Sequence, residues 1–257
     1  MKIVDFLTLV DTKARMNLKA EASRLYFSFL WWIIEPMLFV VTFYFVFSTL
    51  LKTPKEDYLL FLICAKIPYM WFSKAVTTAS SSIIANRGII SQIDMPKAIF
   101  PYAAIQISLY KEVPVYLLLA IMCIIYGYNP NLQWLWLIPL TVALYLLIVC
   151  VSLICALLVC YADDVRMLIN MMMLFLMFIS GIFFDISTID QPLRDHLLIF
   201  NPLAFICDGY RKVLMNQGLY DISHLLYLLL FLTMTTTLIH ILYSKMSRAI
   251  ASRVVNA

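Results

Sequence analysis

Charge is scarce in this sequence. Of its 257 residues, 13% are Asp, Glu, Lys or Arg, 63% are hydrophobic, and the mean hydropathy is +0.91. A typical soluble domain carries about 25% charged residues. So few charges cannot cover a water-facing surface, so lipid is expected to be the solvent for much of the exterior. Glycine is scarce as well. The five glycines, Gly88, Gly127, Gly181, Gly209 and Gly218, stand singly, and none precedes a Lys-Ser or Lys-Thr pair. That excludes a phosphate-cradling loop of the Walker A kind, so the chain is expected to hydrolyse no ATP alone. The three histidines, His196, His224 and His240, are isolated. They form no His-Glu-x-x-His pattern, and no Gly-x-Ser-x-Gly or Ser/His/Asp order is present, so none is expected to be a catalytic base. The six cysteines make no Cys-x-x-Cys pair. Cys150, Cys155 and Cys160 recur every five residues, about 140° apart on a helix, so they share no face. They read as small buried side chains, with no metal site and no cofactor expected on this chain.

What the sequence does have is long apolar runs without alternation, which exclude a membrane β-barrel and leave helices as the spanning elements. Residues 1–28 are amphipathic: Ile3, Phe6, Leu7, Val10 and Ala14 recur at helical spacing among Asp5, Asp11, Lys13, Arg15 and Lys19. They predict a helix lying in the membrane interface. Asp5 and Asp11 interrupt the opening apolar stretch, so it does not read as a signal peptide. Spans are expected at about 33–51, 58–84, 99–126, 134–160, 167–184 and 222–243, each long enough for a core about 30 Å thick. Residues 185–221 are mixed and too polar to span. The expected fold is therefore an all-α integral membrane protein of one transmembrane domain over 1–257. It has an interfacial helix, six transmembrane helices, and a partly re-entrant outer segment between the fifth and sixth. With the N-terminus inside, 11 Lys and Arg fall in inner segments, 5 in outer ones and 3 within spans. The positive-inside rule then puts both termini in the cytoplasm and 185–221 outside.

Charges inside spans are informative, because Lys or Glu at a helix centre costs about 2.5–3.5 kcal/mol by insertion scales. Lys66 lies about 12 Å along its helix from Tyr58. Lys74 is two turns further and can share a broad face with it. Lys111 and Glu112 are adjacent, point to different sides, and are not expected to pair with each other. Two readings stand side by side. Either Lys66 snorkels and Lys74 pairs with a carboxylate such as Glu35 or Glu112, or these residues line a path. The abundant aromatics, 17 Phe, 15 Tyr and 5 Trp, suit either lipid contact or stacking on sugar faces.

Five short stretches in order resemble the ABC-2 type permeases that export polysaccharides. Leu30-Trp31-Trp32-Ile33-Ile34-Glu35-Pro36-Met37-Leu38 is similar to that family's Leu-Trp-x-x-x-x-Pro-Leu opening. Met70-Trp71-Phe72-Ser73 and Ser80-Ser81-Ser82-Ile83-Ile84-Ala85-Asn86 resemble its second span and the Asn that ends it. Ile89-Ile90 and Met95-Pro96-Lys97-Ala98-Ile99-Phe100-Pro101 resemble the next cytoplasmic segment. Asp163-Asp164-Val165-Arg166 is similar to its Arg-Asp loop with the order changed. Asn201-Pro202-Leu203 with Tyr210-Arg211 resembles its segment before the last span. The matches run over roughly 25–215. One departure is Ala65-Lys66-Ile67-Pro68-Tyr69, where the family has Gly-Leu-x-Pro-Trp. A lysine at this place points to an acidic or phosphorylated substrate.

The resemblance implies a half-transporter of the bacterial inner membrane. Two copies form a channel, and two copies of a separate ATPase subunit, holding ATP and Mg, drive it. The substrate class it implies is O-antigen or capsule polysaccharide, often linked to a polyprenyl diphosphate, or teichoic acid. The expected channel residues are Lys66, Tyr69, Trp71, Phe72 and Lys74, with Trp31 and Tyr44 as further rings. Arg87, Asp94 and Pro96, with Arg15 and Lys19 on the interfacial helix, are expected to couple to the ATPase. Asn201, Pro202, Tyr210 and Arg211 belong to the expected exit gate. The rivals are an exporter of drugs or small molecules and a membrane-embedded glycan- or lipid-modifying enzyme. The enzyme would need a converging acid/base set, and Asp163-Asp164 reads better as a solvated connection.

Overall fold

The computed structural model describes residues 3–24, 28–46 and 57–256. Among them every regular element is helical. In chain order these are α1 (Ile3–Arg24), α2 (Ser28–Tyr44), α3 (Tyr58–Ser80), α4 (Ser82–Ala85), α5 (Arg87–Ile90), α6 (Ile99–Ile125), α7 (Leu137–Tyr161), α8 (Val165–Ile179), α9 (Gln191–Phe200), α10 (Pro202–Leu214) and α11 (Ile222–Asn256). Short 3-10 turns precede α7 and α9.

Among the described residues four helices are long and apolar enough to cross a bilayer: Tyr58–Ser80, Ile99–Ile125, Leu132–Tyr161 and Ile222–Val254. They coincide with four of the six expected spans. The other two expected spans correspond to shorter apolar helices over 30–43 and Val165–Ile179. The 15 residues of α8 rise about 22 Å, less than a core about 30 Å thick. The helical residues of the last span continue well past Tyr243 to Asn256.

Helix α3 is the centre of the bundle. Its sequence is apolar nearly all round, and 15 of its 23 residues are buried. It packs against α6, α7, α8 and α10, while α11 packs mainly on α7. Helix α11 is one-sided, as an outer helix should be. Leu225, Leu228, Leu232, Ile239 and Tyr243 are buried, whereas Leu226, Tyr227, Leu230, Phe231, Met234 and Leu238 are exposed. Tyr243 Oη donates to the Leu153 carbonyl at 2.7 Å, which satisfies its hydroxyl inside the apolar contact. Pro36, Pro68 and Pro114 sit inside α2, α3 and α6, and each removes one backbone donor from its helix.

The two ends of the bundle are chemically distinct. At one end Tyr58 Oη donates to the Phe183 carbonyl, Tyr128 Oη to Asp57, and Asn131 to Asn216. At the other, Lys13 donates to Asn86 at 3.1 Å and lies 5.0 Å above the Phe100 ring, tying α1 to the turn between α4 and α5. Burial lowers the Lys13 ammonium below its ordinary pKa.

The mixed segment 185–221 is built from α9 and α10. Eleven of the thirteen residues of α10 are buried, while α9 has none. Gly209 permits the close seat of α10 on α7, because a Cβ there would meet Leu140 Cδ2 at 2.9 Å. Gly181, at φ +71°, makes the turn that leaves α8, and a Cβ there would lie 2.6 Å from Ile186.

Candidate functional site

A groove of about 650 Å³ runs between α2, α3 and α8. Helix α3 contributes Lys66, Tyr69, Met70, Ser73, Lys74 and Thr77, so the expected broad face shared by Lys66 and Lys74 is present. Helix α2 adds Glu35 and Phe39, and the methionine-rich α8 adds Asn170, Met173 and Met177.

Lys66 is 7% exposed, so it does not snorkel. Its Nζ lies 2.9 Å from Met177 Sδ, 4.6 Å from the Phe39 ring and 5.1 Å from the Tyr69 ring. A soft sulfur and two ring faces are weak partners for an ammonium. No carboxylate pairs with it among the described residues. Tyr69 is held beside it by a hydrogen bond to the Met173 carbonyl, which links α3 to α8. Lys74 instead pairs with Glu35, Nζ to Oε2, at 2.5 Å. Beyond that pair lies a second cavity, of about 310 Å³, between α1, α2, α3 and α6.

Two other expected ring residues are turned into the bundle. Trp71 is 1% exposed; its Nε1 donates to Ser108 Oγ at 3.2 Å, and its ring meets Tyr116 and Tyr145. It reaches the smaller cavity rather than the groove. Phe72 is buried in the core. Trp31 is exposed and lines the smaller cavity. For Tyr44, the last residue of α2, the side chain lies outside the described residues.

The expected coupling residues lie at the Asn86 end. Arg87 is exposed and lines a cleft of about 440 Å³ with Tyr161, Asp163 and Arg253. Asp94 is fully exposed and Pro96 is exposed; Asp94 lies 3.3 Å from Lys97, whose side chain is buried. Arg15 and Lys19 are exposed on α1. Arg15 pairs with Asp11 at 2.8 Å, and Asp11 also accepts from Tyr110 of α6.

The expected gate residues lie at the opposite end and are mostly buried. The Asn201 side chain accepts from Ala204 N at 3.1 Å and donates to Ser180 Oγ at 3.0 Å, capping α10 ahead of Pro202. Tyr210 shares a hydrogen-bond chain with Thr141 and Tyr116, at 2.6 and 3.0 Å. Arg211 is 1% exposed. Its Nε donates to the Phe61 carbonyl, and Nη2 donates to those of Gly181 and Ile182. Its guanidinium also lies 3.5 Å from the Phe61 ring.

Sequence reasoning did not single out Phe39, Asn170 or Met177 as lining the groove with Lys66. Asn170 carried a signal, being a polar residue within an apolar run. Phe39 and Met177 carried none beyond composition. Among the described residues no group of three or more His, Cys, Asp or Glu is placed to hold a metal ion.

The site is thus a groove with rings and a poorly paired ammonium, with a buried segment at one end of the bundle and exposed charges at the other. O-antigen export system permease protein RfbA of Klebsiella pneumoniae is 26% identical over 229 residues, covering 88% of this chain and 86% of its own length. A second RfbA from that organism is 25% identical over 227 residues, with the same coverage. RfbA of Myxococcus xanthus is 22% identical over 228 residues, covering 88% and 87%. The family model for ABC-2 type transporters matches residues 15–215, and the chain, a multi-pass membrane protein, belongs to that family.

Proposed function

We propose that this chain is the permease subunit of an ATP-driven exporter of polysaccharide, O-antigen in class, with the glycan carried on an anionic lipid. The observation that carries the reading is that three relatives, each aligned over 88% of the chain, are all O-antigen export permeases. Hydrolysis belongs to a separate ATPase subunit, two copies of which bind two copies of this chain. ATP and Mg are held by that partner, and the chain itself performs no catalysis.

The protein sits in the bacterial inner membrane with both termini in the cytoplasm, as the surplus of Lys and Arg in the segments at the Asn86 end favours. It crosses six times, α2 and α8 included, with α1 in the interface and 185–221 partly re-entrant on the outer face. A second copy covers the apolar side of α8, where Met167, Leu168, Met171, Leu174, Phe175 and Phe178 are exposed. The groove, with Lys66, Tyr69, Phe39 and Lys74, then faces the shared path and receives the anionic lipid-linked end of the substrate. Asn201, Pro202, Tyr210 and Arg211 belong to the exit. Arg87, Asp94 and Pro96, with Arg15 and Lys19, receive the ATPase.

Deletion of the gene tests the reading. Lipid-linked glycan should accumulate inside the cell, and the chain together with its ATPase should restore it to the surface. Normal surface glycan in the deletion strain would overturn the assignment. The topology is checked separately with Asp94→Cys and Asp190→Cys in a cysteine-free background. Only the second should react with an impermeant thiol reagent in spheroplasts.

A further inference from the structure

The smaller cavity, about 310 Å³, holds charges that do not balance. Lys74 is taken by Glu35 at 2.5 Å, and Lys111 by both oxygens of Glu21 at 2.6 and 2.7 Å. Both pairs line the cavity, and so does a third carboxylate, Glu112. Glu112 is 8% exposed, and its Oε1 has no partner among the described residues. Lys111, its neighbour in sequence, points away to α1, since adjacent residues on a helix do not face each other. The cavity therefore has one carboxyl group more than it has ammonium groups, and a buried carboxylate is costly unless a cation or a proton meets it.

The walls indicate which cation. Three of the five tryptophans, Trp31, Trp32 and Trp71, line this one cavity. Indole faces attract ammonium groups, and the Trp32 ring already has the Lys111 ammonium 5.5 Å above it. An inorganic divalent ion would need six or more oxygens in the case of Ca²⁺, or an octahedral shell for Mg²⁺. The described residues offer no metal-holding group there. The volume suits a head group or a short amine and is small for a glycan.

We propose that this cavity binds an organic primary ammonium group, whose N–H groups supply the donor that Glu112 Oε1 lacks and a quaternary ammonium could not, with the three tryptophans as its walls. The chemistry is shared by the head group of an ethanolamine phospholipid and by a soluble amine. The proposal goes beyond glycan export and does not rest on it, since the cavity lies on the far side of the Lys74–Glu35 pair from the groove.

Intrinsic tryptophan fluorescence of the purified full-length chain in phosphatidylcholine nanodiscs reads the site. Titration with phosphatidylethanolamine, or with aqueous ethanolamine, should give a saturable change. Saturation with the lipid alone assigns the head group as ligand; saturation with the aqueous amine assigns a soluble one. Either supports the site. In Glu112→Gln the apparent affinity should fall at least tenfold, and choline should bind at least tenfold more weakly than ethanolamine. If Glu112→Gln does not fold, Trp31→Ala, at an exposed position, should show the same tenfold loss through Trp32 and Trp71. No saturable change with either amine, or an unaltered affinity in the substituted chain, overturns the proposal.

Discussion

Lys74 Nζ and Glu35 Oε2 lie 2.5 Å apart, and this pair is the wall shared by the groove and the smaller cavity. It joins α2 to α3, and both side chains remain about half exposed. Its Coulomb energy is therefore screened, and such pairs contribute about 0.2–1 kcal/mol. The value of the pair lies in register between the two helices.

Lys74→Met and Glu35→Gln should each lower the thermal midpoint only slightly while reducing surface glycan. The exchange Lys74→Glu with Glu35→Lys should restore most of the export. Immunoblots of surface glycan and thermal unfolding of the same preparations check this. An exchange no better than the single replacements would show that the pair acts separately and not as a wall.

Lys66 has no carboxylate partner among the described residues, so its ammonium is a cost to the fold. Lys66→Met should leave protein level and thermal stability unchanged or raised, and should reduce glycan export at least tenfold. Unchanged export with normal protein level would remove α3 from the path.

Arg211 behaves in the opposite way. It supplies three backbone carbonyls with donors. Arg211→Met should destabilise the protein by at least about 1–3 kcal/mol, the cost of leaving a buried acceptor without its donor. Arg211→Lys should recover little, because a single ammonium cannot reproduce the guanidinium fork. Thermal unfolding and membrane abundance read the effect. A stable Arg211→Met chain would show those carbonyls to be satisfied otherwise.

Arg87 and Asp94 are both exposed at the Asn86 end. Arg87→Glu and Asp94→Lys should keep the chain in the membrane with its ATPase. They should leave hydrolysis intact and lower the glycan exported per ATP. Normal export in both would exclude this loop from energy transfer.

Much of the fold is legible in the sequence because lipid imposes length and continuity. The runs at 58–84, 99–126 and 134–160 reappear almost unchanged as α3 with α4, α6 and α7. The last helix outran its expected end at Tyr243. Tyr243, Ile250 and Val254 keep a buried helical stripe where the composition has already turned polar. The site is less legible, since it depends on how each helix is rotated about its axis. Trp71 and Tyr69 are two residues apart, yet one is buried against Tyr116 and Tyr145 while the other lines the groove. The sequence offers Lys74 two carboxylates, Glu35 and Glu112, and only the fold selects Glu35. The pairing of Lys111 with Glu21, from a helix 90 positions away, had no sequence signal.

The contrast between α9 and α10 has a mechanical consequence. Displacing α10 would strip eleven residues from the interior, whereas α9 has no fully buried residue and meets the core only through partly buried side chains such as Leu198. At about 25 cal/mol per Å² of apolar burial, displacing α10 costs far more than displacing α9. The two helices meet at Asn201 and Pro202, where the Asn201 side chain is pinned to Ser180 and the proline ring fixes the first residue of α10. The two helices thus differ in how firmly they are held, and two adjacent residues set the junction between them.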